Sequence, residues 1–104
     1  MAQFDVFLNP NPETQQNIPY LLDIQADLLQ SLATRVVVPL YHKGNITCLL
    51  QHLNPTVFVE QTEVVASVAE LAALSLHYLG EPICNLSQER ASMIAAMDVL
   101  LTGV

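Results

Sequence analysis

A two-residue periodicity in the first 41 residues constrains the fold most strongly. The segment "QFDVFLN" alternates apolar Phe4, Val6 and Leu8 with mainly polar neighbours, which is the pattern of a strand with one buried face. The segments "IPYLLDIQ" and "TRVVVPLY" continue in this style, and the second is rich in the β-branched residues that favour extended backbone. The sequence therefore predicts three strands near its start, separated by loop or turn residues.

Single residues refine this prediction. We expect Asp23 on the solvent side of the second strand, and Asp27 at the start of a turn or short helix. Because Pro39 has no N–H to donate, it indicates an edge strand or a bulge. Further along, "TVFVE" and "EVVAS" predict a hairpin with its corner at Gln61-Thr62. Residues 64–79 fit a helical stripe as well as two strands, and periodicity alone leaves both readings open.

The chain closes with a predicted helix over residues 88–101. Ser87 is the expected N-cap, and Glu89 lies in the first turn, where the helix dipole favours negative charge. At 100° per residue the helix has two sides. The apolar stripe, expected to face the core or a twin helix, comprises Ile94, Met97, Leu100 and Leu101; the side expected to face outward comprises Ala95, Asp98 and Thr102.

The balance of apolar and charged residues points to a partner. Of the 104 residues 52% are hydrophobic and only 12% are charged, about half the charged fraction of an average soluble domain. A single small domain (residues 1–104) with so little charge leaves apolar side chains exposed, and a homodimer would cover them. We also expect no membrane segment and, for want of a secretory signal pattern, a cytoplasmic location.

Charge and motif content exclude several functions. Three basic residues against ten acidic ones cannot form a patch for a nucleic-acid backbone, so we expect no direct DNA contact. His42, Cys48 and His52 match no common zinc spacing, and the pair Asp23 and Asp27 has an ordinary structural explanation. We therefore predict no metal, no cofactor and no catalytic residues, and expect a binding protein rather than an enzyme.

Five segments, taken in order, carry a resemblance to a known family. They are "QFDVF", "LLDIQADLL", "TRVVVPL", "LGEPICNLSQER" and the terminal "TGV". Together they span nearly the whole chain, and it resembles the CcdB family of bacterial toxins from toxin–antitoxin modules. The resemblance implies an α+β, mostly β fold: a small SH3-like antiparallel barrel of the CcdB–MazF type with a C-terminal α-helix at a dimer interface. It also favours strands over residues 64–79.

The resemblance implies a function as well. CcdB-like toxins are homodimers that bind the A subunit of DNA gyrase and trap the enzyme on cleaved DNA. A CcdA-like antitoxin neutralises the toxin, and the complex represses its own operon, with the antitoxin contacting the DNA. The gyrase-binding positions that the resemblance implies are Thr102, Gly103 and Val104 at the chain end, Asp98 and Leu101 on the helix, and Leu28 and Leu29.

One position departs from the family. Well-known members end in Trp-Gly-Ile, whereas this chain has Thr102 at the tryptophan position. Loss of a tryptophan anchor typically costs at least about 2 kcal/mol of binding free energy. The resemblance therefore implies smaller contacts with help from Asp98, weaker binding, or a different target surface.

Two alternatives stand beside the gyrase poison. An endoribonuclease on the related MazF/Kid fold would need a cationic residue and a base, and Arg35 with His42 or His77 are the candidates. We favour the ordinary explanation of Arg35, which is an arginine at a strand end paired with a carboxylate. The other alternative is a degenerate, non-toxic family member that only sequesters antitoxin.

Overall fold

The structure is a computed structural model that describes residues 2–44 and 53–103. Within these ranges the chain forms seven strands and one α-helix: β1 (Asp5–Leu8), β2 (Tyr20–Asp23), β3 (Thr34–His42), β4 (Thr56–Val59), β5 (Thr62–Ala66), β6 (Ala72–Ser75), β7 (Cys84–Asn85) and α1 (Arg90–Thr102). Four short 3-10 turns join them, at Asp27–Leu29, Val68–Glu70, Leu76–Tyr78 and Ser87–Glu89.

The strands form one antiparallel sheet that curls into a half-barrel. Its order is β4-β5-β3-β2-β1-β7, and β6 pairs with the first half of β3. The C-terminal helix α1 packs on one face of this sheet through Met93 and Ala96. The predicted α+β, mostly β fold with an antiparallel barrel-like sheet and a C-terminal helix is therefore confirmed.

The longest strand, β3, is central, so the prediction of an edge strand or bulge at Pro39 is wrong. Leu21 of β2 pairs with Pro39 on one side. On the other side the Pro39 carbonyl accepts a hydrogen bond from the Ser67 amide (3.0 Å). The N and O of a strand residue point to the same side, so the missing N–H faces the place where β3 changes partner from β6 to β5. A central strand tolerates proline there because no regular ladder bond is required.

Both faces of the sheet are buried at its centre. Val6, Leu22 and Val38 belong to the large core under α1. A smaller cluster on the opposite face contains Phe7, Leu21, Val37 and Leu79. Successive strand residues point to opposite faces, so β1 to β3 supply both clusters. This explains why the β3 segment is a continuous β-branched run and does not alternate strictly.

The segment whose periodicity was ambiguous contains strands. Within residues 64–79, the end of β5 is followed by a 3-10 turn, by β6 and by a second 3-10 turn. The β4–β5 hairpin is present as predicted, but its corner lies one residue earlier, at Glu60 and Gln61. Both have positive φ, 49° and 73°, and Val59 pairs with Thr62 across the turn. This is the pattern of a two-residue type I′ turn.

The helix begins later than the sequence indicates, and Ser87 is not its N-cap. Residues Ser87–Glu89 form a 3-10 turn, and α1 starts at Arg90. The side-chain oxygen of Asn85 accepts a hydrogen bond from the Ser87 amide (2.8 Å). Asn85 therefore caps the first amide of the 3-10 turn that precedes α1. In the described part of the chain, no helix combines the length and apolar character required to cross a membrane.

The buried side of α1 differs from the predicted stripe. Met93 and Ala96 are fully buried, and Met97 and Leu100 pack partly against the same core. These four residues follow the i, i+3, i+4, i+7 spacing of one helix face. Ile94 and Leu101, which we expected in the stripe, are 39% and 74% exposed. They extend the predicted outward side with apolar surface.

Candidate functional site

The chain end is an ordered helix terminus that displays an apolar side chain. Gly103 adopts a left-handed conformation (φ 79°), and its amide donates to the Val99 carbonyl (2.9 Å). A glycine in this conformation is a common way to end a helix. The Thr102 hydroxyl donates to the Asp98 carbonyl (2.7 Å), so it is occupied within the last turn. Leu101 projects from this turn, whereas the predicted site residue Val104 lies outside the described residues.

A shallow groove of about 620 Å³ runs along the outward side of α1. Its lining consists of Gln88, Arg90, Ala91, Ile94, Ala95 and Asp98. The predicted site residue Asp98 therefore borders a surface that is otherwise built mainly from small or apolar side chains. Small side chains such as Ala91 and Ala95 allow close approach of another backbone or side chain.

The second pair of predicted site residues lies on an exposed turn, which we call the leucine turn (residues 26–33). Leu28 is 90% exposed, and Leu29 and the nearby Leu32 are 45% and 47% exposed. Asp27 begins the 3-10 helix of this turn, as the sequence predicted. Three exposed leucines within five residues form a local apolar patch, which is typical of an interaction surface.

Hydrogen bonds connect the leucine turn to the start of α1 and not to its end. The Asp27 side chain accepts from the Gln3 amide (2.6 Å), and the Gln3 side chain accepts from Arg90 Nη1 (3.0 Å). Within residues 2–44 and 53–103, no hydrogen bond joins the leucine turn to residues 98–103. In the described residues, the hydrogen bonds of the leucine turn therefore lead through Gln3 to Arg90 and not to the last turn of α1.

A buried polar cluster that the sequence did not predict lies beneath the leucine turn. Arg35 Nε donates to Asp23 Oδ2 at 2.8 Å, and both side chains are fully buried. The expectation of a solvent-facing Asp23 is therefore wrong, whereas the interpretation of Arg35 as the partner of a carboxylate is confirmed. Arg35 Nη2 also donates to the Gln25 carbonyl (3.4 Å). Within the described residues, Arg35 Nη1 has no hydrogen-bond partner.

Gln25 links this cluster to both the sheet and the turn. Its amide donates to Asp23 Oδ1 (2.9 Å), and its side-chain oxygen accepts from the Val36 amide of β3 (3.1 Å). Its side-chain nitrogen donates to the Leu29 carbonyl (3.0 Å). Only the strand pairing of β2 with β3 brings Asp23 and Arg35 together, and no local sequence pattern signals it.

Each basic side chain of the protein is engaged. Arg35 is buried against Asp23, and Lys43 pairs with Glu63 at 3.1 Å. The Arg90 guanidinium bonds to Gln3 and lies 5.9 Å from the centroid of the Phe4 ring, within cation–π range. The three residues lie apart on β3, after β3 and on α1, so they do not form a cationic patch.

Titratable and metal-binding groups do not converge on these surfaces. Burial and the hydrogen bond to Glu70 raise the pKa of Tyr41 to about 12, and burial with nearby Glu60 and Asp5 raises the pKa of the Cys84 thiol. Of the zinc candidates considered above, Cys48 and His52 lie outside the described residues. In the described part of the chain, no three His, Cys, Asp or Glu side chains are grouped to hold a metal ion.

Comparison with known proteins identifies the family. A search of curated proteins found no match. A family model described as CcdB protein matches residues 3–103, which is nearly the whole chain. The match includes the leucine turn, the buried cluster and all of α1. The protein therefore belongs to the CcdB family, a family of toxins from toxin–antitoxin modules.

Proposed function

We propose that this protein is a gyrase poison: a homodimer that binds the A subunit of DNA gyrase and holds the enzyme on cleaved DNA. The observation that carries the proposal is the exposed last turn of α1, where Leu101 is 74% exposed directly before Thr102 and the Gly103 cap. A helical turn that is already formed can enter a partner without the entropic cost of folding on binding. Membership of the CcdB family supports the same target.

The proposed gyrase-binding surface combines the chain end with the leucine turn. Its residues are Leu28, Leu29, Asp98, Leu101, Thr102, Gly103 and Val104. In one protomer Gln3 links the turn to Arg90 at the start of α1, whereas Thr102 at the end of the helix lies about 18 Å further along its axis. Two-fold pairing of protomers through Ala91, Ile94 and Ala95, with the two helices parallel, would bring two chain ends into one symmetric patch and leave Leu101 and Thr102 free at its tip.

The distribution of charge supports an indirect relation to DNA. With a net charge of −7 and all three Lys and Arg side chains engaged, residues 2–44 and 53–103 offer no cationic surface for phosphates. We propose that operon repression depends on a CcdA-like antitoxin that supplies the DNA contacts and neutralises the toxin. The same observation weakens the endoribonuclease alternative, because its candidate Arg35 is buried and paired with Asp23 and cannot reach RNA.

The decisive experiment is gyrase-dependent cleavage of supercoiled plasmid. We expect the full-length protein to stabilise cleaved plasmid and the variant lacking residues 102–104 to lose this activity. Thr102→Trp should act at a concentration about 30-fold lower, because a tryptophan anchor is worth about 2 kcal/mol. Phe58→Ala is the matched control, since it removes an exposed apolar side chain on β4, away from the proposed surface.

Two outcomes would contradict the proposal. Cleavage by the truncated variant at full strength would show that the chain end is not the part that binds gyrase. No cleavage by the full-length protein or by Thr102→Trp, in a reaction where gyrase supercoils normally, would exclude gyrase as the target.

A further inference from the structure

The leucine turn has few restraints of its own. It contains one turn of 3-10 helix. Its last residue, Ala33, accepts a hydrogen bond from the Leu76 amide (3.0 Å), but the bonds around the exposed leucines are short-range: Leu29 amide to Ala26 carbonyl, Gln30 amide to Asp27 carbonyl, and Leu32 amide to Leu29 carbonyl. No residue of the 3-10 helix is buried. An exposed segment with such local bonds is expected to open easily unless other contacts hold it.

Gln25 supplies a contact from below. Its side chain spans the gap between the edge of β3, where it accepts from the Val36 amide, and the turn, where it donates to the Leu29 carbonyl. Gln25 is itself held by the Asp23 carboxylate at its amide and by Arg35 Nη2 at its carbonyl. All three side chains are buried, so solvent does not compete for these bonds.

The cluster is an inefficient way to stabilise a core. A buried ion pair contributes little more stability than a well-packed apolar pair of the same volume, because both ions lose their hydration. What the cluster provides instead is a defined geometry, because hydrogen bonds are directional. The bonds of Asp23, Gln25 and Arg35 together specify one position for the backbone of residue 29. A fixed backbone there gives the exposed leucines a defined arrangement.

We propose that Asp23, Gln25 and Arg35 are positioning residues that hold the leucine turn in its binding-competent conformation, with Gln25 as the direct link. Pre-ordering a binding segment raises affinity because less conformational freedom is lost in the complex. The functional consequence rests on the proposed gyrase-binding surface, whereas the structural consequence, a rigid turn, does not.

The test separates these consequences with substitutions at Gln25. Gln25→Glu keeps the shape and an acceptor for the Val36 amide, but its carboxylate cannot donate to the Leu29 carbonyl. Gln25→Met keeps the length and removes both bonds without adding charge, so it remains informative if the buried glutamate disturbs folding. Gln16→Glu is the charge control, because it makes the same change at an exposed loop residue outside the leucine turn and outside α1. Val57→Ala, a core truncation on β4, is the stability control.

Two quantities are measured on full-length protein: amide hydrogen exchange and affinity for the gyrase A subunit. We expect both Gln25 variants to lower the protection of the Leu29, Gln30 and Leu32 amides by about tenfold. The β3 amides other than Val36, which loses its acceptor in Gln25→Met, should change no more than in Val57→Ala. We expect gyrase affinity to fall by about tenfold in the Gln25 variants and by less than threefold in both controls.

The results distinguish a failure of the proposed function from a failure of this inference about Gln25. If the wild-type protein does not bind gyrase but the Gln25 variants loosen the turn, the proposed function fails and the structural part of the inference stands. If the turn stays protected, or if it loosens without loss of affinity, Gln25 does not position a binding surface. An equal loss of affinity in Gln16→Glu or Val57→Ala would also overturn the inference, because charge or stability would then explain it.

Discussion

At the scale of single residues, buried polar groups contribute what hydrophobic patterning does not. Asp23 occupies an outward position in a period-two pattern, yet it is fully buried because Arg35 reaches it from β3 at 2.8 Å. The alternation of apolar and polar residues predicts that a charged strand residue faces solvent. Its burial becomes favourable when a partner of opposite charge is buried with it. The partner is twelve residues away and becomes a neighbour only when the sheet forms.

The ion pair makes a prediction about stability. Arg35→Met leaves the Asp23 carboxylate buried without its partner, so we expect the free energy of unfolding to fall by about 3–5 kcal/mol. The double variant Asp23→Val with Arg35→Met should regain most of this loss, because no buried charge remains. Urea denaturation of both variants measures the difference. A loss below about 1 kcal/mol in the single variant would show that the carboxylate is solvated or finds another partner.

At the scale of elements, the β4–β5 hairpin shows a turn whose geometry and sequence disagree. Glu60 and Gln61 both have positive φ, although such turns favour asparagine, aspartate and glycine. The pattern of apolar residues predicted the hairpin correctly but placed its corner one residue late. The strand pairing of Val59 with Thr62 determines the corner, and the turn residues accommodate it at a cost.

Relieving this turn should stabilise the protein. We expect Gln61→Gly to raise the free energy of unfolding by about 0.5–1 kcal/mol, because glycine adopts a φ of 73° without a Cβ clash. Thr56→Gly is the control. Thr56 is an exposed residue of a regularly paired strand, so glycine there should lower the free energy of unfolding by a similar amount. Thermal denaturation measures both. If both glycines destabilise, the turn carries no strain that glycine can relieve.

At the scale of the whole molecule, the exposed apolar surface is the dominant property. Large apolar side chains are exposed on the leucine turn, on the outward side of α1 and on β4. The sequence predicted such exposure from a charged fraction of only 12%. Which residues would be exposed did not follow, since Ile94 and Leu101 were expected to be buried or paired and are open in the single chain.

The outward side of α1 makes a prediction about assembly. We expect the wild-type protein to sediment as a dimer at micromolar concentration and Ile94→Asp to sediment as a monomer, because the substitution places a charge in the groove of α1. Phe58→Asp makes the same kind of change on β4 and should leave the dimer intact. Dimers of Ile94→Asp with unchanged stability would place the dimer interface elsewhere.

The sequence by itself determined the first three strands, the β4–β5 hairpin, the C-terminal helix and the family. These depend on local periodicity and on ordered segments that span the chain, and both are readable without long-range contacts. Only the tertiary structure decided which side of α1 is buried, where the partner of β3 changes at Pro39, and that Asp23 and Arg35 form a pair. Each of these depends on the register between strands distant in sequence. Where no tight turn joins two strands, the register depends on which faces pack together across the sheet, and one segment taken alone does not determine it.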